Sequence, residues 1–250
     1  MSGHGKLYAI IAGSGFSGLG ENSAPQQVDT DYGKPSSPVR QLDFSGRPVL
    51  YLARHGDRLN IPPHQINYRA NLKALHRLGA DRVISLNTVG TVHREHSPGQ
   101  LAIPEQLLDY TWGRDHSYQS AEAAQLEHID FTEPFDREMR SALLCAATAA
   151  GVDCHDGGIY AATQGPRLET SAEVDRLERD GASYIGMTAM PEAALAAELG
   201  MRYACLSLIV NFAAGRSETA IHEDIEGSTL NAKMQAFRVL RVFFQMDSGD

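Results

Sequence analysis

The sequence predicts an α/β protein: a mixed, largely parallel central sheet flanked by helices, forming one domain over residues 1–250. Three observations predict it. Apolar runs of strand length alternate with segments of helical period along the chain, without a linker-like run or an internal repeat. The helical segments stop at glycines. Four strand runs end in small or polar residues: Gly13-Ser14-Gly15, Arg54-His55-Gly56, Asn87-Thr88-Val89-Gly90 and Asn211. In open α/β sheets the strand carboxyl ends form the ligand crevice, so these four ends are expected to meet in one site.

Taken in order, Leu7 to Ala12 is an apolar run that reads as a buried strand. Gly18 to Pro38 is rich in Ser, Pro and Gly and has no helical period, so it reads as loop with room for one short strand. Pro48 to Arg54 is the second strand. Ala70, Leu72, Leu75 and Leu78 lie near helical spacing, which predicts a helix over 66–78 that Gly79 ends. Arg82 to Leu86 is a β-branched strand run that stops before Asn87. Further helices are predicted over 135–150, 171–180, 191–199 and 222–245, the first three stopped by Gly151, Gly181 and Gly200. Pro191 suits a first helical turn. Strands are predicted over 158–163, 184–187 and 202–211.

Composition narrows the function. With 250 residues, 42% of them hydrophobic, the chain can bury a full core, which excludes disordered and disulfide-framework classes. The 22 Lys+Arg against 31 Asp+Glu give a net charge of −9, which repels a phosphate backbone and argues against nucleic acid as a partner. No run approaches the roughly 18 apolar residues that span a bilayer, and Met1 to Lys6 carries no apolar signal region. Cys145, Cys154 and Cys205 form no CxxC pair, which suits a reducing cytoplasm and opposes a structural zinc. His64, His76 and His116 have no partner at metal spacing, and His93 and His96 read as solvent-exposed in a polar loop. No metal and no cofactor are expected. No GxSxG elbow is present, so a hydrolytic nucleophile is not supported.

Gly13-Ser14-Gly15-Phe16-Ser17-Gly18 matches GxGxxG after a strand, but the context of a dinucleotide site is missing. That site needs the glycines to open a helix. Here Gly20, Pro25, Gly33, Pro35 and Pro38 follow. The loop still suits an anion, because glycine lets backbone N–H groups approach closely and Ser14 adds a hydroxyl. Arg54 ends an apolar strand, where a charge needs either an ion-pair partner or an anionic ligand. Ser14, Arg54, His55 and Thr88 together would hold free phosphate. Asn211 offers two donors and an acceptor, the complement of a purine edge. Glu169 is either a second edge reader or a first-turn helix acid.

With these pieces in place, the chain resembles the nucleoside phosphorylase family, and within it the methylthioadenosine/methylthioinosine branch. The matching stretches are Ile10-Ile11-Ala12-Gly13-Ser14-Gly15, Ala53-Arg54-His55-Gly56, Asn67-Tyr68-Arg69-Ala70-Asn71, Gly165-Pro166-Arg167 and Met187-Thr188-Ala189-Met190-Pro191-Glu192. They run in order from about residue 8 to 215; each is weak alone and the set is specific. The resemblance implies a homotrimer with its active site at the subunit boundary. It also implies a reaction in which phosphate attacks C1′ of a purine nucleoside to release the free base. It assigns the phosphate site to Ser14, Arg54, His55, Thr88 and Thr188, the ribose contact to Met187, and a purine contact to Leu168. His128 is implied to reach the neighbouring subunit's 5′ pocket. Leu59 stands where family members often carry histidine, so the wall beside the phosphate is expected to differ.

The purine edge separates substrates. Family members that act on methylthioadenosine place two aspartates around the positions of Asn211 and Ala213, and this chain has neither. A 6-oxopurine presents acceptors at O6 and N7 and a donor at N1–H, which Asn211 and Glu169 complement. An adenine N1 lone pair would face the Glu169 carboxylate, and a mismatch of this kind is worth about 10⁴-fold in discrimination. Asn211 is thereby the expected catalytic donor to N7. For the 5′ group, His222 aligns with a contact to a 5′-hydroxyl, whereas Ile221, Ile225 and His128 suit a thiomethyl. The expected substrate is 5′-deoxy-5′-methylthioinosine, the alternatives being methylthioadenosine and inosine or guanosine. A purine-binding protein without activity is the rival from another class, and it predicts a lost phosphate site.

Overall fold

The structure, a computed structural model, describes residues 6–13, 16, 19–20, 23–120, 125–217 and 225–247. In chain order the strands are β1 (Tyr8–Ala12), β2 (Arg40–Phe44), β3 (Arg47–Ala53), β4 (Arg82–Thr91), β5 (Leu101–Ile103), β6 (Gln106–Asp109), β7 (Cys154–Asp156), β8 (Ile159–Ala162), β9 (Tyr184–Gly186) and β10 (Arg202–Phe212). The helices are α1 (Tyr68–Arg77), α2 (Arg137–Ala149), α3 (Ser171–Arg179), α4 (Ala189–Glu198) and α5 (Ile225–Met246).

One mixed sheet runs in the order β2-β3-β1-β4-β10-β5-β7, and a branch β9-β8-β6 leaves it at the end of β4. The inner strands β3, β1, β4 and β10 are parallel neighbours. Buried on both faces, they read as near-continuous apolar runs. In β1 the alternation divides two cores: Ala9 and Ile11 pack with α1 and α4 residues such as Leu72, Leu75 and Leu195. Tyr8, Ile10 and Ala12 pack with Leu143 of α2 and Val239, Leu240, Phe243 and Phe244 of α5. The helix ends follow local chemistry. Asn67 accepts from the Ala70 N–H to cap α1, Asp136 from Met139 to cap α2, and Thr170 and Glu173 form a capping box on α3. Gly79, Gly151, Gly181 and Gly200, the expected stops, all lie at positive φ.

Three expectations need correction. β4 does not stop at Leu86 but continues to Thr91, because β10 runs alongside it over the same length. β1 does stop, at Ala12 opposite Leu86, so Asn87 onward loses that neighbour and a gap opens there. Strands β2, β5, β6 and β7 lie outside the predicted set. His93 and His96 are half-buried rather than exposed, the His96 ring stacking on His155 at 3.8 Å between centroids. Between residues 23 and 38 only isolated bridges occur, Gln26 with Val39 and Thr30 with Gly33. Among the described residues no helix is long and apolar enough to cross a membrane.

Candidate active site

The gap left by β1 is the mouth of a cleft of about 270 Å³. All four strand ends reach it: Gly13 after β1, Arg54 and His55 after β3, Asn87 to Gly90 within β4, and Asn211 near the end of β10. Its other wall is Pro166, Leu168 and Glu169 before α3, together with Met187 and Thr188 between β9 and α4. Of the residues expected there, Arg54, His55, Thr88, Glu169, Leu168, Met187, Thr188 and Asn211 are brought together. Ser14, Ile221 and His222 lie outside the described residues, as does the side chain of Ile225. His128 is exposed and lines no part of this cleft. Leu59 does not form the wall beside His55; it is exposed at φ 51°, and Pro63 lines the cleft instead.

Arg54 has an ion-pair partner and also lines the cleft. It is fully buried and grips Glu192, Nε to Oε2 at 2.7 Å and Nη2 to Oε1 at 2.9 Å. Burial pulls its pKa down, yet the adjacent Glu192 carboxylate outweighs that and raises it. Ser85 and Tyr203 also donate to Glu192 Oε1, each at 2.9 Å. Nη1 donates to Leu86 O and would lie 3.1 Å from a Cβ on Gly13, so the glycine keeps the guanidinium in reach of the cleft. Among the described residues Arg54 is the one lysine or arginine lining the cleft, and Glu192 balances its charge. An anion there depends on hydroxyl and N–H donors as much as on net charge.

His55 supplies an acceptor rather than a cation. Its Nδ1 is 2.8 Å from the Ile61 carbonyl, which can only accept, so Nδ1 carries the proton and Nε2 the lone pair. Burial lowers the His55 pKa, keeping the ring neutral near pH 7. Thr188 is the N-cap of α4, but its hydroxyl caps no backbone N–H of that helix. Regular helical turns start beyond Met190, which is non-helical, so Pro191 opens them as expected.

At the other end, the Asn211 amide donates one hydrogen to Phe212 O at 2.7 Å, leaving its second hydrogen and its oxygen for another partner. A Cβ on Gly90 would sit 3.0 Å from that amide nitrogen. Glu169 precedes the Thr170 cap and plays no part in the α3 capping box; its Oε1 accepts from Thr163 Oγ1 at 2.6 Å. Met187 is held from behind by Gly165, where a Cβ would approach its sulfur to 2.4 Å.

Two residues that frame the site were not legible. Glu192 lies 138 positions from Arg54, and a glutamate after a helix-opening proline carries no sign of that pairing. Arg114, in a polar Trp-Gly-Arg-Asp stretch, is buried and donates to the carbonyls of Met187 (2.8 Å), Met190 (2.6 Å) and Gln164 (2.8 Å). It thereby ties together the two segments, around 164 and 187–190, that build the second wall of the cleft. No group of three or more metal-ligating side chains occurs among the described residues. The Cys205 thiol is buried, which pushes its pKa up to about 11 and leaves it un-nucleophilic.

Parallel strands ending in one polar cleft, with an arginine and hydroxyls at one end and a carboxylate and an amide at the other, have the build of an α/β enzyme. The model of the phosphorylase superfamily matches residues 7–245, and the chain belongs to that superfamily. It is similar to a probable S-methyl-5′-thioinosine phosphorylase of Xanthomonas campestris pv. campestris, 48% identical over 217 residues, with 86% of this chain and 87% of that protein covered. A 6-oxopurine nucleoside phosphorylase of Pyrococcus furiosus is 41% identical over 215 residues, covering 84% and 80%. Among solved structures, a methylthioadenosine phosphorylase from Schistosoma mansoni in complex with adenine superposes with a TM-score of 0.89 at 26% identity, covering 98% of this chain and 93% of that one.

Proposed function

We propose that the protein is a purine nucleoside phosphorylase that prefers 6-oxopurines, and that it converts 5′-deoxy-5′-methylthioinosine and phosphate to hypoxanthine and 5-methylthioribose 1-phosphate. The observation that carries this reading is one cleft holding an acceptor, Glu169, and a donor, Asn211, at one end, with Arg54, His55, Thr88 and Thr188 at the other. Arg54, Thr88 and Thr188, with Ser14, donate to phosphate, and the His55 Nε2 lone pair accepts from the P–OH of hydrogen phosphate; Asn211 and Glu169 take the N7–O6 side and N1–H of the base, beside Leu168. Met187 packs on the ribose. His222, and His128 from the neighbouring subunit of a homotrimer, complete the 5′ pocket. The enzyme works in the cytoplasm and needs no cofactor beyond its co-substrate phosphate.

The chemistry asks the protein for position and charge. Breaking C1′–N9 builds positive charge on the sugar and negative charge on the purine, as in glycoside hydrolysis. Bound phosphate, oriented by Arg54, faces the cationic carbon and then captures it. The Asn211 N–H bonds to N7 as negative charge grows there, and one such preorganised donor is worth roughly 3–4 kcal/mol. Methylthioadenosine remains the second reading because the Schistosoma mansoni neighbour carries that name. It requires Glu169 to face the N1 lone pair of adenine.

The test is phosphate-dependent base release from methylthioinosine, methylthioadenosine, inosine, guanosine and adenosine. We expect kcat/KM for methylthioinosine to exceed that for methylthioadenosine by about 100-fold or more, and Asn211→Ala to lower kcat about 10²- to 10³-fold. A preference for methylthioadenosine overturns the edge pairing; no turnover of any nucleoside brings the binding-protein reading forward.

A further inference from the structure

We propose that Thr163 is a specificity-determining positioning residue: its hydroxyl fixes Glu169 as a hydrogen-bond acceptor, and so favours 6-oxopurines over 6-aminopurines. The inference rests on the reading of Glu169 as the residue that faces N1 of the base.

Thr163 follows β8 directly, and its backbone is clamped on both sides. Its N–H donates to Gly186 O at 2.8 Å, and its carbonyl accepts from Arg114 Nη2 at 3.2 Å. Only the hydroxyl retains a choice. Oγ1 lies 2.6 Å from Glu169 Oε1 and 3.3 Å from Gly186 O. A hydroxyl has one proton to give, and Gly186 O already accepts from the Thr163 N–H. The 2.6 Å contact falls in the range of an O–H donating to a carboxylate. The proton therefore goes to Glu169.

That donation has a consequence for the base. It pins Oε1 in place, so Glu169 meets the base as a fixed hydrogen-bond acceptor. An acceptor held there takes the N1–H of a 6-oxopurine. A 6-aminopurine has a lone pair at N1 and offers that acceptor no hydrogen, and the Thr163 bond opposes turning the carboxylate away from it. The geometry also keeps Thr163 clear of the base. Glu169 lines both the cleft and a second hollow of about 300 Å³ beside Tyr110 and Trp112, whereas Thr163 lines the second hollow alone. Thr163 thus approaches from behind. Arg167, the neighbouring cation, is engaged with Glu173 at 2.8 and 2.7 Å.

Thr163→Val, Thr163→Ala and Thr163→Ser are compared with the wild-type enzyme by kcat/KM on methylthioinosine and on methylthioadenosine, with the KM for phosphate measured alongside. Val and Ala should each lower the methylthioinosine-to-methylthioadenosine ratio about tenfold, because the Glu169 acceptor loses the bond that holds it in place. Ser, which keeps the hydroxyl, should stay within about threefold of wild type, and the phosphate KM should not move. Two loss variants of different bulk keep the test open if one folds poorly. A parallel fall on both substrates, an unmoved ratio, or a Ser variant that behaves as Val overturns the inference. If wild type prefers methylthioinosine while the variants keep its ratio, the inference alone fails. If wild type prefers methylthioadenosine, the reading of Glu169 fails and takes the inference with it.

Discussion

Replacing Glu192 by glutamine separates what the buried ion pair does for stability from what Arg54 does for phosphate. Both side chains are fully buried, and the Glu192 carboxylate accepts four hydrogen bonds of 2.7–2.9 Å, from Arg54 Nε and Nη2, Ser85 Oγ and Tyr203 OH. Glutamine keeps the shape but turns an amide N–H₂ toward donors and leaves the guanidinium charge without a counter-charge. Breaking a buried pair from one side costs about 3–5 kcal/mol, and a value near 4 is roughly a thousandfold in the folding equilibrium. Domains are stable by only about 5–15 kcal/mol, so urea unfolding of Glu192→Gln should show a large fall in midpoint with an unchanged slope. The double variant Arg54→Met/Glu192→Met removes both charges, and should recover stability to within about 2 kcal/mol of wild type, since apolar replacement of a buried pair is often neutral. The hydroxyls of Ser85 and Tyr203, left without their acceptor, account for the shortfall. The recovered double variant should nonetheless lack phosphate-dependent base release. A Glu192→Gln loss below about 1 kcal/mol would contradict the burial-and-charge reasoning. A folded double variant with normal phosphate dependence would refute Arg54 as a phosphate group.

Two further outcomes are expected. Gly90→Ala places a Cβ 3.0 Å from the Asn211 amide nitrogen; kcat should fall at least tenfold while the melting temperature shifts by only a few degrees, the size of about 1 kcal/mol of overpacking. An unchanged kcat would show that Asn211 need not hold its position. For pH, burial lowers the folded-state pKa of His55 below its ordinary 6.5, so the unfolded chain binds the proton first as pH falls. Stability from the neutral ring is complete above about pH 6.5 and is lost as pH drops from there toward the folded value, with a slope of at most about 1.4 kcal/mol per unit. Burial lowers His76 and His96 in the same direction. The His55 share is therefore the difference between wild type and His55→Gln in unfolding free energies at pH 7.5 and 5.5, and identical pH slopes would count against it.

Much of this protein is written in local pattern. The apolar runs of β1, β3 and β10 and the stops at Gly79 and Gly181 are readable because burial and helix termination act within a few residues of the chain. The meeting of Gly13, His55, Thr88 and Asn211 is expected from strand ends that change character where the sheet stops, whereas the order β3-β1-β4-β10 that brings it about is set by the tertiary pairing. The short strands β6 and β7 escaped because they are part-exposed over four and three residues, too few to show a period. β4 was read too short because Asn87 and Thr88 are polar, and only its pairing with β10 keeps them in the ladder.

What no local pattern carries is the partner of a buried charge. Arg54 alone is equally a structural cation and a phosphate group, and the tertiary structure decides that Glu192, 138 positions away, holds it while Gly13 leaves it at the cleft. Nothing local to Arg114 marks its surroundings, yet the fold wraps carbonyls of Gln164, Met187 and Met190 around it. Thr163 reads as the last residue of a strand, and becomes the donor behind Glu169 only through a 2.6 Å contact. The sequence by itself determined which residue types gather at the sheet's carboxyl edge, since hydrophobic period and chain breaks are local. Which of them are paired, clamped or left facing the cleft was decided by the tertiary structure, because a hydrogen bond between distant residues is set by where the packed elements bring them.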